Sequence, residues 1–563
     1  MLPARAVPVP RLSDGGAPVA DRAETLVMDA TLAREDAPAV GVAGDPALAR
    51  PTGRRRPAIR VADTVPATVP RRLVRPVPGQ LPLALPPLPA LPMEVDWKDR
   101  PRLWGHAYHP MCSYLASFPA ALAHAFVARY TRPGDVVLDP FSGRGTTPLQ
   151  ACAEGRIGVG NDLNPLAHVL TAAKVEPPPS RDLEARLASL RIDWSFEAPG
   201  WRDLAARVAA GTPAGSVTGA PTGSAAGAPA GSAAGAPSQA TGAPPPLPAP
   251  ALVPEAGSAG GPGDGSELVP AEVALAFHRG TLAQVLFARS HLRLGDPVDR
   301  FLAAALVGIL HGRRPGYLSE LMPNTFSMAP GYVRDFAART RFAAAERDLF
   351  VLLAAKLRRL ARDGRPRSTG IALLGDARDA GVRSRAALRE RALPDRARLV
   401  LTSPPYLRVL KYGYYNWLRT WFLGFSAAGI DATLDDAHRR EPYLVFLREV
   451  LAGLRPALAD DAVVALVLGD VEAERGRAAA DGLAIGLADE AWEGAARPEG
   501  YLLAGVVGDE VAAARKMTKL WGDEAGRATR LDRILVIAPT EAGRRRAVAG
   551  ATLPVDWSRP HRR

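Results

Sequence analysis

Val136-Val137-Leu138-Asp139-Pro140-Phe141-Ser142-Gly143-Arg144-Gly145-Thr146-Thr147 reads as a short buried strand that breaks into a glycine-bearing loop and then a helix. Pro133-Gly134-Asp135 turns the chain into the strand, and Asp139 closes it. Gly143 and Gly145 let the backbone pass close to a ligand with no Cβ in the way. Thr146 or Thr147 caps the helix, Pro148 suits its first turn, and Gly155 terminates it. Next comes Ile157-Gly158-Val159-Gly160-Asn161-Asp162, a second strand ending in an acid, 23 residues after Asp139. A carboxylate at an offset of roughly 20 residues reaches a ribose. The loop is neither Gly-x-Gly-x-x-Gly nor Gly-x-x-x-x-Gly-Lys, since no lysine follows Gly145. An adenosine ligand without phosphates fits it better than a nucleotide.

Far downstream, Ala397-Arg398-Leu399-Val400-Leu401-Thr402 reads as another buried strand, followed by Ser403-Pro404-Pro405-Tyr406. Further short apolar runs at 371–376, 463–468, 502–507 and 534–537 alternate with helical stretches. This pattern predicts an α/β fold with a mostly parallel sheet covered on both faces. Ligands in such folds bind beyond the carboxyl ends of the strands, where both loops lie. Asp376, ending the strand that starts at Ile371, is placed to accept from an adenine amino group.

The second loop suits chemistry on the exocyclic amine of a nucleic-acid base. That nitrogen is a poor nucleophile, because its lone pair is delocalised into the ring. The Ser403 hydroxyl and the Pro404 carbonyl can each accept one N–H of such an amine. Pro404 and Pro405 stiffen the loop and remove competing donors. Tyr406 offers a face on which an extruded base can stack. The simpler reading is a Ser-Pro-Pro turn with a core tyrosine.

Taken together, the segments 139–147 and 402–406 resemble the DNA amino-methyltransferase family, of N4-cytosine and N6-adenine types. His109-Pro110 and Ser117-Phe118-Pro119 resemble its segment against the methionine part of the cofactor, and Gly526 to Ile534 is similar to the end of such domains. The resemblance covers roughly 95–175 and 370–540. It implies a Rossmann-like sheet, S-adenosylmethionine as cofactor and duplex DNA, its target base flipped out, as partner. Asp139, Phe141, Gly143, Gly145, Thr146, Asp162, Asp376 and Phe118 would bind the cofactor, and Ser403, Pro404, Pro405 and Tyr406 would form the catalytic loop. Ser at the first position of that loop resembles the N4-cytosine type, whereas Asp is typical of adenine enzymes. Adenine N6, an RNA base amine, and a binding protein without turnover are the alternatives.

Composition bounds the rest. The 563-residue chain carries a formal net charge of +12, which suits a polyanionic partner. Two cysteines, Cys112 and Cys152, make neither a metal-ligand spacing nor a disulfide framework. With no signal-peptide core and no apolar run of roughly 18 residues, a soluble cytoplasmic protein without a metal is expected. Residues 1–94 read as a disordered Pro/Arg-rich arm, 95–180 as the cofactor half, and 181–270 as a low-complexity linker with a Gly/Ala/Pro-rich core at 208–254. Residues 271–369 form a basic helical insertion with 16 Lys or Arg against 8 Asp or Glu, a candidate target-recognition region. Within it, Leu321 to Met328 is uncharged and reads either as a pocket wall or as a core loop. The catalytic half runs 370–540, and 541–563 reads as a basic tail. The aromatics Tyr412, Tyr414, Tyr415, Trp417, Trp421 and Phe422 either line a base pocket or fill the core.

Overall fold

A computed structural model describes residues 88–101, 103–115, 117–210, 269–323, 325–405, 412–434, 440–469, 486–510 and 531–558. Tyr406, Gly526 to Arg530, the arm before 88 and nearly all of 208–254 lie outside these residues. The strands are β1 (Val136–Asp139), β2 (Ile157–Asp162), β3 (Ile371–Leu374), β4 (Ala397–Thr402), β5 (Leu458–Gly469), β6 (Leu502–Glu510) and β7 (Leu531–Ala538). They form one sheet in the order β3-β2-β1-β4-β5-β7-β6. The first five pair in parallel and β7 runs antiparallel between β5 and β6.

Alternation along the strands sorts side chains to two faces. Val137, Leu399, Leu401, Val463 and Ala465 pack against α1 (Ala120–Tyr130). On the other face Val136, Leu138, Val400, Val464 and Leu466 bury the helices that follow β3 and β4. Burial on both sides is why these strands read as nearly continuous β-branched and leucine runs. Between β1 and β4 the strand order reverses: the chain leaves β1 for β2 and β3 on one side, then returns to β4 and β5 on the other. A crevice opens at the carboxyl ends of such a pair.

Around the glycine loop, α2 (Thr146–Ala153) follows β1 and α3 (Pro165–Val175) follows β2. Asn164 caps α3 by accepting from the Leu166 amide, with Pro165 in the first turn. Then comes a difference from the sequence reading: Ser180–Ala209, all but its first residue assigned to the linker, is a 30-residue helix, α4. It buries Leu183, Leu187 and Leu190 on a narrow stripe, and Arg186 pairs with Asp299 at 2.7 Å. The stripe is short, and Pro199 lies inside the helix, so the local signal was that of a broken segment.

The basic region holds α5 (Ala271–Ala276), α6 (Arg279–His291), α7 (Pro297–Val307), α8 (Pro330–Thr340) and α9 (Leu349–Leu360). Its Phe287, Phe301, Leu302 and Leu353 share one core with Leu149, Leu166 and Leu170 of α2 and α3. After β3 come α10 (Ala380–Glu390), then α11 (Trp417–Phe422), α12 (Ala427–Thr433), α13 (Arg440–Leu454) and α14 (Leu487–Ala491).

The segments 88–94 and 541–558 differ from expectation. The arm was read as ending at 94, yet Leu91 donates to the Val506 carbonyl and Val506 to that of Pro89, each at 2.9 Å. These bonds cover the outer edge of β6, and Leu91 and Met93 are buried. The basic tail begins with α15 (Glu541–Ala551), whose Ala547 carbonyl accepts from the Tyr130 hydroxyl at 2.9 Å. Trp557 beyond it donates to Asp96 at 2.6 Å. Its buried side is Gly543, Ala547, Gly550 and Ala551. Small residues carry little hydrophobic signal, while the arginines between them face outward to Glu541 and Asp461.

Candidate active site

Two loops meet at the β1/β4 crevice. After Asp139 the first turns through Gly143 (φ +50°) and Gly145 (φ +76°), left-handed values that glycine adopts without strain. Beneath it, Thr171 donates to the Gly143 carbonyl at 3.3 Å, and Lys174 donates to that of Arg144 at 2.6 Å. The loop is thus held by two residues one turn apart on α3.

Three carboxylates face the cleft: Asp139, Asp162 and Asp376. Asp139 is 2 % exposed, and its Oδ1 accepts from the Thr402 hydroxyl at 2.5 Å and the Phe141 amide at 3.1 Å. Burial pushes its carboxyl up to about 7, against the pull of these donors. Asp162 accepts from the Gly143 amide at 2.8 Å and the Asn164 amide at 2.9 Å, and burial pushes it up to about 6. Asp376 accepts from the Arg378 amide at 2.8 Å and its guanidinium at 2.9 Å. Phe141 and Phe446, with ring centroids 5.7 Å apart, make an apolar wall, and Arg378 lies 4.8 Å from the Phe446 centroid.

From the other side, Ser403 and Pro405 line the cleft, while Pro404 is buried behind them. Ser403 donates its hydroxyl proton to the Val467 carbonyl on β5 at 3.1 Å. That bond occupies the only donor of the side chain and leaves its oxygen lone pairs as acceptors. Phe118, Phe141, Gly143 and Thr146 also line the cleft. Gly145 sits behind it against Thr171, and Tyr406 lies outside the described residues.

Several lining residues carried no separate sequence signal. Tyr114 accepts from Asn164 at 3.1 Å and stacks on Tyr412, centroids 5.9 Å apart. Tyr443 and Phe446 come from α13. Of the aromatic run, Tyr412 lines the cleft, whereas Trp417 and Phe422 are core. Leu321 to Met328 is no wall of it: Leu321 and Met322 are buried in the helical core. Instead, Ser327 donates to the Tyr415 carbonyl at 2.6 Å, and the Met328 carbonyl accepts from Trp417 at 2.5 Å. Among the described residues no group of three or more His, Cys, Asp or Glu is placed to hold a metal, and no helix is long and apolar enough to cross a membrane.

A family model described as DNA methylase matches residues 95–172, the stretch that carries the glycine loop and the first two strands. Residues 95–172 belong to the DNA amino-methyltransferase family. The chain is similar to Type II methyltransferase M.SmaI of Serratia marcescens, 40% identical over 77 residues, 14% of this chain and 26% of that one. It is also similar to Type II methyltransferase M.Cfr9I of Citrobacter freundii, 37% identical over 70 residues, 12% of this chain and 23% of that one. The chain therefore spans about a quarter of the length of these relatives. No solved structure matches it.

The two raised carboxyls give the cleft a pH signature. A carboxyl whose folded value exceeds its unfolded value stabilises the fold at low pH and loses that contribution as pH rises through the folded value. Asp139 and Asp162 therefore destabilise the ligand-free fold progressively as pH rises from about 4 to 7. A ligand that sets an ammonium against ionised Asp139 and hydroxyls against ionised Asp162 binds more tightly as the two ionise over the same window. Calorimetric titration with S-adenosylhomocysteine is expected to show affinity rising from pH 5.5 to 8, and Asp139→Asn to flatten the upper part of the rise. A flat wild-type profile would contradict the assignment of these groups to the ligand.

Proposed function

We propose that the chain transfers a methyl group from S-adenosylmethionine to the exocyclic N4 amine of cytosine in DNA. The observation that carries the proposal is Ser403, whose hydroxyl is fixed as an acceptor in a cleft also lined by three carboxylates. Bound there, S-adenosylmethionine would supply an electrophilic methyl on a sulfonium centre. Asp139 would hold its ammonium, Asp162 the ribose hydroxyls, Asp376 the adenine amino group, and Phe118 and Phe141 its apolar surfaces. A cleft with three carboxylates and an aromatic wall suits a ligand that is both cationic and aromatic.

Ser403 and the Pro404 carbonyl would each accept one N–H of the target amine, turning its lone pair toward the methyl carbon. Nitrogen forms a bond to that carbon as the carbon–sulfur bond breaks, and the nitrogen then loses one proton to water. Positioning supplies most of the rate in such a step, with no covalent enzyme intermediate. A duplex base reaches the loop only when extruded from the stack. The serine in the first loop position supports cytosine over adenine by the family resemblance.

Target contact is assigned to the basic insertion. Arg313 and Arg314 stand exposed at the tip of a loop closed by Leu318 to Ile309 and Gly312 to Ser319 bonds, each 2.9 Å. Its base is fixed by buried His311, bonded to the Pro323 carbonyl at 2.7 Å and Ser327 at 3.3 Å. Through Ser327 this platform joins the segment 412–417 beside the cleft. Replacing both arginines by alanine is expected to lower the slope of log affinity for DNA against log salt by roughly two. Binding of S-adenosylhomocysteine should be unchanged; an unaltered slope removes this loop from the interface.

The functional test is transfer of labelled methyl to duplex DNA, single-stranded DNA and bulk RNA, followed by nucleoside digestion and mass spectrometry. N4-methyl-deoxycytidine is the expected product. N6-methyl-deoxyadenosine would move the base and keep the machinery. Label in RNA alone, or none with no cofactor binding, would overturn the proposal.

A further inference from the structure

The two loops of the cleft are tied together by buried side-chain bonds that the sheet does not require. Ladder pairing between β1 and β4 ends at Leu138 and Val400. Beyond that point Thr402, 2 % exposed, donates to Asp139 at 2.5 Å, joining residues 263 apart in the chain. Thr147, fully buried in the first turn of α2, donates to the Leu401 carbonyl at 3.1 Å. Each bond runs between the glycine-loop side and the strand that leads into Ser403. Thr402 is the residue immediately before Ser403, so the side chain that ends β4 is anchored on a carboxylate of the opposite loop. Asp139 makes both bonds described above through Oδ1, the Thr147 hydroxyl lies within reach of the same carboxylate, and the residue lines the cleft.

We propose that Thr402 is a positioning residue whose bond to Asp139 couples cofactor occupancy to the placement of Ser403. The inference rests on the functional reading above, in which Asp139 faces the cofactor. An ammonium bound at Asp139 draws on the same carboxylate that holds Thr402, and Ser403 is held in place in response. Buried hydrogen bonds of this kind are strong because little water competes for either partner. Linkage requires the effect to be mutual: DNA held by the Ser403 loop tightens cofactor binding by the same factor.

Thr402→Val keeps the branched shape and removes the donor, whereas Thr402→Ser keeps the donor and removes a methyl. The probe is S-adenosylhomocysteine, and the readout is hydrogen exchange at the amides of Leu401, Thr402 and Ser403. Saturating probe is expected to raise protection there by about tenfold in the wild type and in Thr402→Ser, within the usual span of coupling between sites. In Thr402→Val the gain should fall to within about twofold, although probe still binds. Single-turnover methyl transfer at saturating cofactor should fall in Thr402→Val and recover in Thr402→Ser, which a purely structural role would not produce. An undiminished protection gain in Thr402→Val would overturn the proposal. If that variant does not melt cooperatively, Thr147→Val tests the second tie and should halve the gain or more; an unchanged gain there would likewise count against the coupling. A wild type that gains protection with probe but methylates no DNA would refute the functional reading and leave the coupling standing. A wild type with no gain would refute the coupling itself.

Discussion

Ser403→Ala is expected to lower methyl transfer by about 10²-fold, the size of effect that follows when a reacting group loses its alignment. Affinity for S-adenosylhomocysteine should stay within about twofold, because Ser403 bonds to Val467 and to none of the cleft carboxylates. Removing the hydroxyl leaves the Val467 carbonyl without that donor, at a stability cost of about 1 kcal/mol. The rate loss should therefore be read beside a thermal melt, which will shift by a few degrees. Single-turnover kinetics at saturating cofactor separates the two effects. Loss of cofactor binding together with turnover would make the Ser-Pro-Pro loop structural, and full activity would remove Ser403 from the chemistry.

Gly145→Ala is expected to weaken S-adenosylhomocysteine binding by tenfold or more, which corresponds to about 1.4 kcal/mol. A Cβ at this position would stand 2.8 Å from Thr171 Oγ1 and 3.0 Å from its Cα. Alanine would also have to hold φ at +76°, which costs roughly 1–2 kcal/mol by itself. Thr171 is the residue that holds the Gly143 carbonyl, so relieving the clash shifts the loop that positions Asp162. Gly134→Ala is the control: its φ is +88° but its Cβ would meet nothing within 4 Å. That variant should lose a similar amount of stability and bind the probe normally. Equal affinity in Gly145→Ala and Gly134→Ala would show that the glycine loop does not shape the cleft.

How much of this was legible beforehand differs from element to element. β1, β2 and β4 announced themselves, because strands buried on both faces are written as runs of Val, Leu and Ile that end in a loop residue. Asp139, Asp162, Asp376 and Ser403 were legible for the same reason: each lies at or just past a strand end, and in a parallel sheet those ends converge. Tyr114, Tyr443 and Phe446 were not, since they stand on other segments with nothing local to mark them. The helix at 180–209 was hidden by its narrow stripe and internal proline, and α15 by a contact face built of glycine and alanine.

By itself the sequence determined the α/β class, the strand ends and the positions of the two loops, because backbone conformation and burial periodicity are imposed by neighbouring residues. Only the tertiary structure decided which strand lies beside which, and hence that the glycine loop and the Ser-Pro-Pro loop share one crevice. It also decided that Thr402 meets Asp139 across 263 residues, that Pro89 and Leu91 bond to Val506, and that Trp557 bonds to Asp96. Such contacts form because desolvated donors and acceptors must find partners wherever the fold brings them, and no local pattern records which partner that will be.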